Sequence, residues 1–189
     1  MKRIGVLALQ GAFAEHIRVL EQLGVQACEL RQKADLSDRP LDGVILPGGE
    51  STVMGKLLRE LDMLYDLKQM IREGLPVLGT CAGLILLAGE ISGDDNRYLG
   101  TMDITVRRNA YGRQLGSFHT RSVFQGVGEV PMTFIRAPLI ERVAEEKGAE
   151  VLAFAGEHIV AARQKNMLVT AFHPELGGDD RIHKFFLKL

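Results

Sequence analysis

Cysteine is scarce in this chain: Cys28 and Cys81 are the only two in 189 residues. So few cannot staple a disulfide scaffold, and no paired Cys or Cys/His spacing marks a metal site. Excess charge of either sign is also missing. Lys and Arg total 23 against 24 Asp and Glu, a net charge of −1, without the basic surplus that marks a nucleic-acid binder. No stretch approaches the ~20 apolar residues of a membrane span. Lys2 and Arg3 followed by Ile4–Leu9 look like the start of a signal peptide. That run is too short, however, and Gln10, Gly11 and Glu15 break it without a small-residue cleavage site. Proline- or serine-rich linkers, repeats and low-complexity runs are absent as well. These absences point to a soluble protein of a reducing compartment, most simply the cytoplasm, with no metal, nucleic acid or membrane as partner. What is present is an ordinary globular balance, 46% hydrophobic and 25% charged. The length suits one domain over residues 1–189, since domains run to roughly 100–200 residues. A chain of this size buries roughly 70% of its unfolded surface without staples.

The first half alternates strand and helix signals. Ile4–Leu9 is a continuous apolar run, as expected of a strand covered on both faces. From Ala12 to Leu23, Phe13, Ile17, Leu20 and Leu23 recur at helical spacing, and Gly24 stops the helix. Val25–Leu30, Leu41–Leu46 and Pro76–Gly79 read as further strands. Ser51 is the expected cap of a helix through Leu61, a second helix covers Leu64–Ile71, and Leu84–Leu87 begins a buried one. The second half is strand-rich: Met102–Val106, Ser117–Phe124, Thr133–Arg136, Glu150–Ala155, His158–Arg163 and Met167–Phe172, before a closing helix over Asp179–Leu189. A hairpin is expected at Ala155-Gly156-Glu157. The expected class is α/β, a single-domain, doubly wound, mostly parallel sheet with a β-rich insertion in the second half.

Gly79-Thr80-Cys81-Ala82-Gly83 falls between a buried strand and a buried helix. This is the nucleophile-elbow pattern with Cys in place of Ser. Its glycines permit a sharp turn that lifts Cys81 above the sheet edge at a helix N-terminus, where the thiolate is favoured. The Ala82 N–H then serves an oxyanion. Without the flanking glycines, a buried structural cysteine would be the better reading, and that is the role expected of Cys28. Among the five histidines, only His173 ends a strong apolar strand, and Pro174-Glu175 follow it. Residues two apart on extended chain face the same side, so Glu175 is placed to orient His173. His16 and His183 on helices, and His119 and His158 on strands, read as solvated or satisfied. Pro47-Gly48-Gly49-Glu50-Ser51 follows a strand, and its glycines let backbone N–H groups approach a ligand, with Gly49 a second oxyanion donor. The Gly-Lys-Ser/Thr of a phosphate loop is missing.

Gly-x-Cys-x-Gly, the distant His-Pro-Glu and the Pro-Gly-Gly-Glu loop together resemble a class I, triad-type glutamine amidotransferase domain. More narrowly, Leu9-Gln10-Gly11-Ala12, Arg108-Asn109, Tyr111-Gly112-Arg113-Gln114 and Phe134-Ile135-Arg136-Ala137-Pro138 are similar to segments of the glutaminase subunits of pyridoxal 5′-phosphate synthase. The resemblance implies a Cys81–His173–Glu175 triad that hydrolyses L-glutamine through a Cys81 thioester. It implies an oxyanion hole from Gly49 and Ala82, and a glutamine site of Gly49, Glu50, Ser51, Arg108, Ile135 and Arg136. Physically, Arg108 or Arg136 suits a carboxylate and Glu50 an ammonium. The resemblance further implies a (β/α)8-barrel synthase partner that receives ammonia for vitamin B6 synthesis, and thiol acyl transfer calls for no cofactor. The alternatives are an elbow-cysteine amidohydrolase, a glutaminase serving a different synthase, or a silent binding module using the same pocket.

Overall fold

The computed structural model describes residues 1–109 and 117–189, so the Tyr111–Gln114 segment lies outside the described residues. The first half runs β1 (Arg3–Leu7), α1 (Phe13–Gln22), β2 (Gln26–Leu30), β3 (Gly43–Leu46), α2 (Ser51–Glu60), α3 (Leu64–Arg72), β4 (Val77–Thr80) and α4 (Ala82–Leu87). The second half adds β5 (Ala88–Ile91), β6 (Met102–Arg107), β7 (Ser117–Phe124), β8 (Gly128–Ile135) and β9 (Leu139–Val143). It closes with β10 (Ala149–Ala155), β11 (His158–Gln164), β12 (Met167–Thr170) and α5 (Arg181–Phe186).

Strands β2-β1-β3-β4-β12 lie side by side and all pair parallel. Their side chains explain why. Val44, Ile45, Leu46, Val77, Leu78, Leu168 and Val169 have no exposed surface, as both faces of a parallel sheet demand. Each such side chain contributes roughly 1.5–3 kcal/mol by leaving water. From β1 the chain goes to β2 on one side and then to β3 on the other. At such a switch point the loops leaving the carboxyl ends of the strands diverge and open a crevice. The observed class is therefore the doubly wound α/β one expected from the strand–helix alternation.

The β-rich second half extends the same sheet. Beyond β12, strands β11, β10, β7 and β8 continue it antiparallel. A branch of β5, β6 and β9 joins through β9 and β11. Pro131 lies within β8, the last strand of the path, where an edge tolerates a missing N–H. Several elements differ from the sequence reading, β8 among them, which begins at Gly128, and β1, which stops at Leu7. Strands β5 and β9 are unforeseen, β12 stops at Thr170, and the closing helix is confined to Arg181–Phe186. Among the described residues, no helix is long and apolar enough to cross a membrane.

Strand β12 has the largest consequence for the site. It arrives from the far end of the chain, yet it pairs Thr170 with Thr80 on β4. Whatever follows Thr170 is thereby brought beside whatever follows Thr80.

Candidate active site

Cys81 is the residue after Thr80, and its backbone adopts φ 50°, ψ −101°. A side-chain-bearing residue held in such a conformation costs on the order of 1–3 kcal/mol and persists only where its surroundings enforce it. Here they do. The Cys81 N–H donates to the Thr170 carbonyl at 2.9 Å, and the Cys81 carbonyl accepts from Ile85 at 3.3 Å. The flanking glycines allow α4 to settle onto the sheet. A Cβ on Gly83 would lie 1.9 Å from the Leu46 carbonyl oxygen, and one on Gly79 would lie 2.7 Å from the Gly83 oxygen. Neither position has room for alanine. The Cys81 side chain is left nearly buried at the floor of a cleft.

His173 comes from the neighbouring strand end. Its N–H donates to the Thr133 carbonyl on β8 at 2.8 Å. The preceding Phe172 meets Phe134 edge-on at 5.9 Å, and Phe134 stacks on Phe118 at 4.5 Å. These contacts fix where the imidazole projects. Nδ1 of His173 lies 2.6 Å from Oε1 of Glu175, both side chains being buried, and the Cys81 side chain is close enough to act on the imidazole. A carboxylate at Nδ1 places the proton there and leaves Nε2 for the sulfur. Burial alone would lower the His173 pKa. The interaction with Cys81, the hydrogen bond to Glu175 and the negative charge of both outweigh it and push the value up to about 10. Burial would raise the Glu175 carboxyl, yet the imidazoles of His16 and His173 hold it below the usual carboxylate value.

Above Cys81 opens a cleft of about 510 Å³. Gly49, Glu50, Ser51, Ala82, Arg108, Ile135, Arg136 and His173 are among the residues that line it. Of the ten residues assigned to the triad, the oxyanion hole and the glutamine site, Glu175 alone is absent from the wall, because it stands behind His173. The loops are tied together by hydrogen bonds. The Gly48 carbonyl accepts from Ala12 at 2.9 Å, and Gln10 Oε1 accepts from the Glu50 N–H at 2.8 Å. Gly48 has no space for a side chain either, since a Cβ there would come within 2.4 Å of His173 Cε1.

Two sequence assignments need correction or refinement. Ser51 does not cap α2. It is the first helical residue, and Glu50 is the N-cap, its carboxylate accepting from Thr52 at 3.1 Å and Val53 at 2.7 Å. A side chain with two carboxylate oxygens satisfies two orphan N–H groups where a hydroxyl would satisfy one. These bonds outweigh the effect of burial and hold the Glu50 carboxyl below its ordinary value. Arg108 is already committed, bonding Thr52 Oγ1 at 2.7 Å and the Tyr98 hydroxyl at 2.8 Å, and lying 3.2 Å from Asp94. Arg136, held at φ 43°, has no ion-pair partner among the described residues. Cys28 is half-buried in β2, its thiol 3.6 Å from the Ile4 carbonyl, and burial pushes that thiol up.

What the sequence reading missed lies beneath the cleft. His16 and His183 have no exposed surface, and their rings meet at 2.9 Å next to Glu175. One local signal was available: His16 shares the apolar stripe of α1 with Phe13, Ile17 and Leu20. Among the described residues, no set of three His, Cys, Asp or Glu side chains converges as metal ligands.

Comparison with known proteins places this architecture. Residues 6–189 match the model of the SNO glutamine amidotransferase family. The chain is 58% identical over 189 residues to the pyridoxal 5′-phosphate synthase subunit PdxT of Streptococcus pneumoniae serotype 2 strain D39, covering 99% of this chain and 97% of that one. A solved glutamine amidotransferase superposes with a TM-score of 0.92 at 45% identity, covering 98% of this chain and 97% of its own. A chain from the structure of PurLQS of Thermotoga maritima shares the fold alone, with a TM-score of 0.72 at 14% identity over 98% of this chain and 96% of its own.

Proposed function

The chain belongs to the SNO glutamine amidotransferase family, and from that membership we propose that it hydrolyses L-glutamine to L-glutamate and ammonia for pyridoxal 5′-phosphate synthesis. The observation that carries the mechanism is the alignment of Cys81, His173 and Glu175 at the base of a cleft of about 510 Å³. In this reading the whole chain, 1–189, acts as one glutaminase domain in the cytoplasm.

The Cys81 thiol gives its proton to Nε2 of His173 and the sulfur attacks the side-chain carboxamide carbon of glutamine, so that the carbonyl oxygen becomes an oxyanion held by the N–H groups of Gly49 and Ala82. His173 then gives its Nε2 proton to the departing nitrogen, which leaves as ammonia, and a glutamyl thioester remains. Water adds to the thioester with His173 as base, releasing glutamate and the thiol. Throughout, Glu175 keeps the imidazole oriented and stabilises its charged form. Ser51 and Ile135 shape the site around the bound amino acid. Glu50 accepts from the α-ammonium with the acceptor capacity left over from capping α2. Arg136 takes the α-carboxylate in preference to Arg108, whose guanidinium already serves Thr52, Tyr98 and Asp94.

The ammonia passes to a (β/α)8-barrel synthase partner, and the name borne by the 58%-identical pneumococcal relative supports that role. The test is glutamate release from L-glutamine, with and without that synthase, for the wild type and for Cys81→Ala. Release that depends on Cys81 and rises with the synthase is the expected result. Release indifferent to the synthase would assign the enzyme to another pathway, and no release under either condition would overturn the glutaminase reading.

A further inference from the structure

Behind the proposed triad the hydrogen-bonded line continues into the core. Oε1 of Glu175 serves His173, but Oε2 is a buried oxygen without a well-aligned hydrogen bond. Its neighbour is Nε2 of His16, 3.4 Å away, with neither side chain exposed. The same Nε2 lies 3.3 Å from Thr80 Oγ1, directly before Cys81. On the other edge of the ring, Nδ1 of His16 is 2.9 Å from Nε2 of His183 on α5. His183 Nδ1 is buried without a partner.

These contacts determine where the protons are. A carboxylate oxygen 3.4 Å from a bare ring nitrogen would be repelled, so Nε2 of His16 carries the hydrogen, donates it to Thr80 Oγ1 and turns its positive edge toward Glu175 Oε2. Nδ1 of His16 must then accept, and His183 Nε2–H is the donor. That assignment leaves His183 Nδ1 as a bare acceptor, and it is the ring atom that lacks a partner. An orphaned acceptor is easier to bury than an orphaned N–H. Both imidazoles are neutral in this arrangement. Burial lowers His183 to about 3, and burial lowers His16 as well.

We propose that His16, oriented by His183, is a positioning residue for the thiol chemistry. Its Nε2–H attracts the second oxygen of Glu175 electrostatically across 3.4 Å, so that the carboxylate presents the first to His173 in one orientation. His183 fixes the tautomer that lets His16 do so, and thereby connects the C-terminal helix to the triad. The proposal rests on the glutaminase reading above. It adds no step to the reaction and moves no proton; it sets the angle at which Glu175 meets His173.

Two measurements on the full-length chain with its synthase partner test the idea. The first is steady-state glutaminase kinetics of His16→Leu and His16→Gln. Leucine removes the donor, and kcat is expected to fall by at least ~10-fold with KM within about 2-fold, the pattern of a misplaced catalytic group. Glutamine restores much of the loss, because its side-chain amide donates from nearly the same place. Equal kcat for the leucine variant and the wild type would overturn the proposal. The second measurement needs no variant and therefore survives a leucine chain that does not fold. Imidazole nitrogen NMR of the wild type at neutral pH should show His16 neutral and protonated on Nε2, whereas a charged ring or a proton on Nδ1 would defeat the assignment. A wild type without Cys81-dependent release would instead sink the glutaminase reading and leave the NMR result to judge the hydrogen-bonded line.

Discussion

Gly48 offers the most direct way to move the proposed catalytic base without touching it. A Cβ at that position would sit 2.4 Å from Cε1 of His173. Ordinary carbon contacts begin near 3.4 Å, so Gly48→Ala must displace the ring or the loop by about 1 Å, and a displacement of that size costs about 100-fold in rate. The ring has little freedom to yield elsewhere, because Glu175 holds Nδ1 at 2.6 Å and the backbone is tied to Thr133. The adjustment therefore falls on the alignment of Nε2 with Cys81. Steady-state glutaminase kinetics should show kcat reduced about 100-fold, with a much smaller change in KM. Gly177→Ala is the matched control, since its Cβ meets only Pro131 at an ordinary 3.4 Å. A Gly48→Ala enzyme with wild-type kcat would refute the reasoning that backbone–ring contact sets the position of His173.

Three further outcomes follow from the same geometry. His183 stays neutral in the fold because its value, about 3, lies below the ordinary 6.5. The unfolded chain therefore binds a proton that the folded chain refuses as the pH falls below 6.5, and stability is lost from there toward pH 3. Between pH 7 and pH 5 this group costs about 2 kcal/mol; denaturant titrations should show that loss in the wild type and a shallower one in His183→Phe, whereas equal losses would contradict it. Glu50→Ala removes the cap of α2, so stability should fall by ~1 kcal/mol and the KM for glutamine should rise; unchanged values of both would show that Glu50 does neither. Asn166 Nδ2 donates to the carbonyls of Ile71 and Leu75 at 2.9 and 2.7 Å. Asn166→Ala should lower stability by ~2 kcal/mol and leave kcat unaltered, measured by denaturation and kinetics side by side.

The parts of the molecule legible in its sequence are those whose cause is local. Continuous apolar runs at Val44–Leu46 and Val77–Leu78 mark strands because a doubly covered strand has no polar face to show. The elbow at Cys81 is legible because its glycines answer a steric demand of the turn itself. Glu175 does meet His173, but not as a neighbour on extended chain: Pro174 and Glu175 form a turn in which the Leu176 N–H donates to the His173 carbonyl at 3.3 Å. Where partners are distant the sequence is silent. Ala88–Ile91 contains Gly89 and Glu90 and shows no alternation; it is a strand because β6 lies alongside. Leu139–Val143 likewise owes its state to β6 and β11. Leu84–Leu87 reads as the beginning of a buried helix, and the helix is there, but it ends at Leu87, where Ala88 turns extended at φ −58°, ψ 134°. Ser51 was the natural cap by residue type, but the carboxylate of Glu50 answers two N–H groups. His16 and His183 stand 167 residues apart, and no pattern along the chain reveals that α1 and α5 bring them together.

The account stands or falls on a covalent bond at Cys81. Acid quenching during turnover of L-glutamine, followed by mass spectrometry of the peptides, should find a glutamyl group on the peptide bearing Cys81 and none in the Cys81→Ala chain. Glutamate production with no acyl group on Cys81, or with the group on Cys28 instead, would contradict it.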